Sequence, residues 1–102
     1  MLSRSDIINE IYAALRRENE LRAPSEQIPL RPDTRLFGEG GMLKSFDLVS
    51  LILEVEDMIS TRTGIAINLS NQRAMAMHKN PFRDPVSLAE YVAARLDGAG
   101  QV

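Results

Sequence analysis

Apolar residues recur at helical spacing in three separate stretches of this chain, and few positions alternate with period two. Ile7, Ile8, Ile11, Tyr12 and Leu15 share one face of a helix predicted over residues 4–19. Leu48, Leu51, Ile52, Val55 and Ile59 share a face of a second helix, from Ser45 to about Thr61. Val86, Ala89, Val92, Ala93 and Leu96 share a face of another, over about 85–97. The Val, Ile, Thr and Tyr runs that build strands are missing, so the pattern predicts an all-α fold. At 102 residues, 44% of them hydrophobic, the chain suits one domain over 1–102 with an ordered core of about 4–97.

Local signals sharpen these helices. Ser3 or Ser5 can cap the first, with Asp6 in its first turn, where a negative charge suits the helix dipole. Gly64 marks a turn after the second. "IAINLSNQ" then leads into a shorter helix over about 70–79, closed by His78, Lys79, Asn80 and Pro81. Asp84 caps the last helix, Pro85 takes its first position, and Gly98 and Gly100 end it. Four helices are expected: long, long, short and medium.

Residues 20–44 contain Pro24, Pro29, Pro32, Gly38, Gly40 and Gly41 and read as one long loop. Loops of this length inside a small domain tend to be functional. Leu30, Leu36, Phe37, Met42 and Leu43 are its expected anchors to the core.

The formal charge of −2 is unevenly spread. Asp47, Glu54, Glu56 and Asp57 lie in residues 45–59 with no Lys or Arg among them, whereas residues 60–85 are net basic. The basic residues form no dense patch and lack interleaved aromatics, which argues against nucleic acid as a partner. With no cysteine there is no disulfide, thiol catalysis or thiolate metal site. "MLSRSDIINEIY" lacks the apolar segment of a secretory signal, and no apolar run approaches the roughly 20 residues that span a bilayer. A cytoplasmic monomer without a membrane span is the expectation.

The second helix has a second apolar feature. At about 100° per residue, its core face covers a sector of roughly 100°, with Val49 widening it. Phe46 and Leu53 fall on the far side with Ser50 and Asp57, flanked by Asp47, Glu54 and Glu56. Phe46 and Leu53 either pack under the long loop or form a docking stripe with an acidic rim, suited to a basic partner. Ser45, at the start of this helix, is by itself best read as a cap.

"DTRLFGEGGMLKSFDLVSLILEVEDMI" resembles the acyl carrier protein family. The family pattern is a loop ending in Asp-Ser-Leu, followed by a helix of acidic and aliphatic residues. Here the tripeptide is Lys44-Ser45-Phe46. The chain size, the long first loop and "DPVSLAEYVAARL" as last helix extend the resemblance over most of the chain. It implies a four-helix bundle with a short third helix and no active site of its own. It also implies covalent 4′-phosphopantetheine on Ser45, carrying an acyl group as a thioester. Phe46, Asp47, Leu53, Glu54, Glu56 and Asp57 would then face partner enzymes: a phosphopantetheinyl transferase, and acyl-loading and acyl-transferring enzymes with basic docking patches. Lys44 stands where the family has an acidic residue and bears on recognition by the transferase. The longer, basic segment from Gly64 to Pro85 points to a specialised carrier, in lipid or secondary-metabolite synthesis, not the general one of fatty-acid synthesis. Two other readings stay open: an aminoacyl or peptidyl carrier of the same fold, and a cofactor-free helical interaction module in which Ser45 is only a cap.

His78, the only histidine, reads as a solvated residue at a helix end. Met75 and Met77 read as core filling, with a soft cavity for a tethered chain as the sharper alternative.

Overall fold

The computed structural model describes residues 2–69 and 80–100, apart from the side chain of Ala99. They form three α-helices: α1 (Arg4–Asn19), α2 (Ser45–Thr63) and α3 (Pro85–Gly100). A single 3₁₀ turn, Pro24–Glu26, lies in the loop between α1 and α2, and no strand occurs among the described residues. The helix expected over 70–79, with Met75, Met77 and His78, lies outside the described residues.

The helix starts follow from short polar side chains. The Ser3 hydroxyl accepts the Asp6 amide at 3.1 Å, and the Asp6 carboxylate accepts the Ser3 amide at 2.9 Å, a reciprocal capping box. The Asp84 carboxylate accepts the Ser87 amide at 2.7 Å and caps α3, with Pro85 at its first position. At the end of α2, Gly64 takes a left-handed φ of 73° and its amide returns to the Ser60 carbonyl at 2.9 Å. Gly98 and Gly100 were expected to end α3, and of the two Gly98 is not the stop. It does not adopt a positive φ, so the helix runs through it to Gly100.

Three ion pairs set α1 against α2. Glu10 meets Arg62 at 3.0 Å, Arg17 meets Glu54 at 2.9 Å, and Arg22, just past α1, meets Asp47 at 3.4 Å. As one number rises the other falls, so the two helices run antiparallel. Between them lie Ile7, Ile11, Ala14 and Leu15 of α1 and Leu48, Leu51, Ile52, Val55 and Ile59 of α2, all buried. Leu88, Ala89 and Val92 of α3 complete the core with Phe82, whose ring meets Tyr91 edge-on at 5.8 Å. Burying each larger aliphatic chain contributes about 1.5–3 kcal/mol. Val49 departs from expectation: it lies at the margin of the core face and is 53% exposed.

The long loop is packed and tied down. Ile28, Leu36 and Leu43 are buried in the core, and Leu30, Phe37 and Met42 pack partly against it. The Asn19 side-chain amide brackets Ile28, accepting its N–H at 2.7 Å and donating to its carbonyl at 3.0 Å. Leu36 and Phe37 donate to the carbonyls of Arg83 and Phe82 at 2.8 and 3.1 Å, which fastens the loop to the approach to α3. Leu43 donates back to Leu36 at 2.8 Å across the glycine turn. Gly41 sits there because a Cβ would lie 2.5 Å from the Leu36 carbonyl oxygen. The loop therefore delivers the chain to Ser45 along a fixed path.

Candidate functional site at the start of the second helix

Ser45 is the first residue of α2, and Lys44 is the residue that flanks the helix in extended conformation. A lysine ammonium has donors only, so it accepts no helix amide. The Asp47 carboxylate instead reaches back and accepts the Lys44 N–H at 3.0 Å. This corrects the reading of Ser45 as the cap. Its side chain is exposed and makes no hydrogen bond among the described residues. Lys44 is also exposed and forms no ion pair among them.

The surroundings suit a phosphate ester on that hydroxyl. The amides of Ser45 and Phe46 lie in the first turn, where helix N–H groups have no intrahelical acceptor, and they donate to none of the described residues. Lys44, the exposed residue that flanks the helix, adds a positive charge to this end of α2. Among the described residues no group of three His, Cys, Asp or Glu could hold a metal ion.

The four carboxylates of α2 do not form a uniform acidic rim. Asp47 holds the helix start and pairs with Arg22. Glu54 pairs with Arg17. The Glu56 carboxylate accepts the Leu69 amide at 2.7 Å. Only Asp57 is exposed with no ion pair among the described residues. Sequence alone placed all four on or beside one stripe, but their partners lie far along the chain, beyond the reach of local spacing.

The apolar part of the stripe stays open. Phe46 is 80% exposed and Leu53 is 59% exposed, so the loop covers neither. Val49 joins them, one helical turn from each, and makes a row of three apolar residues on the outer face of α2. No described helix is long and apolar enough to cross a membrane.

Arg22 was not singled out from sequence, yet it is the most heavily engaged side chain near Ser45. It lies beside an open cleft lined by Glu18, Leu21, Met42, Lys44 and Asp47. An arginine just past a helix end is an ordinary capping signal, and nothing in its spacing pointed to the start of α2.

No family model, curated protein or solved structure matches the chain.

Proposed function

We propose that this protein is a carrier of the acyl carrier type, with 4′-phosphopantetheine attached through a phosphodiester to Ser45. One observation carries the reading: the Ser45 hydroxyl is exposed at the head of α2 with no hydrogen bond among the described residues, and the helix start is fastened instead by the Asp47 carboxylate on the Lys44 N–H. A serine relieved of that role, at the end of a tethered glycine loop, is free for attachment. The sequence resemblance supplies the chemistry.

The residues fit the group in defined ways. The Ser45 hydroxyl would form the ester. The Ser45 and Phe46 amides and the Lys44 ammonium would face the phosphate oxygens. When bound, the arm supplies a terminal thiol, which this cysteine-free chain otherwise lacks, for holding cargo as a thioester. The proposed bundle has a fourth, short helix over about 70–79.

The partners in this reading are a phosphopantetheinyl transferase and the enzymes that load and unload the acyl group. Phe46, Val49 and Leu53 are the main contact, with Asp57 as the free carboxylate. Asp47, Glu54 and Glu56 are spent within the chain and contribute less negative field than the sequence suggests. The same apolar row also favours a second reading, a cofactor-free interaction module. Incubation with coenzyme A and a phosphopantetheinyl transferase separates the two. Intact mass should rise by one phosphopantetheine for the carrier and stay unchanged for the module.

A further inference from the structure

We infer that Arg22 is the positioning residue for Ser45, the side chain that fixes the start of α2 and so the point and direction at which the Ser45 side chain leaves the backbone. This rests on the reading of Ser45 as the attachment point.

The Arg22 side chain is only 15% exposed. Its guanidinium reaches four segments. One terminal nitrogen donates to the Glu26 carbonyl in the 3₁₀ turn at 3.4 Å. The other donates to the Met42 carbonyl at 3.3 Å and to the Asp47 carboxylate at 3.4 Å. Its Nε lies 3.4 Å from the Glu18 carboxylate, an ion contact with no hydrogen bond, and is itself buried. The same Asp47 oxygen that meets Arg22 accepts the Lys44 amide.

Ser45 lies between these anchors. Met42 is three residues before it and Asp47 two residues after, and one guanidinium nitrogen holds both. The Asp47–Lys44 bond closes the interval from within. Each Arg22 contact is long, so each is individually weak. Together they fix where the chain turns into the helix. The planar fork matters: arginine presents fixed donors in several directions, whereas lysine offers a compact charge on a flexible stem. Arg22 makes no hydrogen bond with the Ser45 hydroxyl among the described residues. It acts on Ser45 through the backbone.

The test compares the wild type with Arg22→Met, Arg22→Lys and Asp47→Asn in two measurements. The first is amide hydrogen exchange across the whole chain. The second is the steady-state rate of arm transfer to Ser45 from coenzyme A. Arg22→Met should lower kcat about tenfold or more with KM within about twofold, as expected when reacting groups are misplaced and docking is kept. Arg22→Lys should rescue only in part. Amide protection should fall at Lys44 and Leu48 and persist at Ile11 and Val92. Asp47→Asn keeps an acceptor for the Lys44 amide, so its loss should be smaller, and it serves if Arg22→Met does not fold. Wild-type kinetics in Arg22→Met, full rescue by Arg22→Lys, or protection lost evenly over the chain would overturn the assignment. A wild-type protein that accepts no arm overturns the attachment reading itself. A focused loss of protection in Arg22→Met would then show a clamp at a helix start that carries no cargo.

Discussion

The Glu56 carboxylate accepts the Leu69 amide at 2.7 Å, and the Tyr91 hydroxyl donates to the Leu69 carbonyl at 2.9 Å. Leu69 is fully buried, so its backbone is held from α2 on one side and α3 on the other. A carboxylate that sequence resemblance assigns to partner enzymes is thus a fastening inside the domain. Glu56→Ala should cost about 1–2 kcal/mol of unfolding free energy, since it strands a part-buried amide. Glu56→Gln, which keeps an acceptor, should cost less than half of that. Chemical denaturation of the three proteins checks this, and equal stability of all three would remove the fastening role.

Phe46 and Leu53 should behave in the opposite way. Both are exposed, so Phe46→Ala and Leu53→Ala should each change stability by less than about 0.5 kcal/mol. Each should weaken binding to a cognate enzyme about tenfold, as for an apolar anchor buried on docking. Titration calorimetry against that enzyme reads the effect. Because three of the four helix carboxylates have partners within the chain, Asp57→Lys should weaken binding more than Glu54→Lys.

The helices were legible in the sequence because their signals are local. Arg4–Asn19 and the start at Ser45 match the bounds read from periodicity and capping residues. Val49 failed at the margin, where a helix angle cannot say which neighbour will cover a side chain. Ile28 was missed because one apolar residue between prolines carries no period, and its burial depends on Asn19. The site was half legible. The exposed row of Phe46 and Leu53 follows from one helix wheel, whereas Ser45 was singled out only through the family resemblance. The engagement of Asp47, Glu54 and Glu56 depends on Arg22, Arg17 and Leu69, which only the folded chain brings near.

Lys44 occupies a position where asparagine, aspartate and serine stabilise helices. Lys44→Asp should raise stability by about 0.5–1 kcal/mol by accepting a first-turn amide, less what repulsion from Asp47 removes. The resemblance predicts a second effect, faster loading by a transferase that reads an acidic residue before the serine. Thermal melts and initial loading rates at low salt measure the two separately. Unchanged loading would assign any specialisation of the proposed carrier to the basic segment after Gly64.

Asp6 provides a pH signature. The Ser3 amide that donates to it, and after that the Ser3 hydroxyl close by, hold its carboxyl below the ordinary aspartate range. A depressed folded-state pKa stabilises the fold at pH above the ordinary value. That contribution is lost as pH falls through the ordinary value towards the folded one. Asp6→Asn should therefore melt at a temperature less dependent on pH in the acid range below about 4. Melting curves recorded between neutral and acid pH should converge for the two proteins at the acid end.

Tandem mass spectrometry of the protein isolated from its own cells decides whether Ser45 carries the arm. A phosphopantetheine is expected on the peptide spanning Met42 to Asp47, located on Ser45, and none on a Ser45→Ala protein expressed in the same cells. A native protein wholly unmodified, or an arm found on Ser50 or any other hydroxyl, would contradict it.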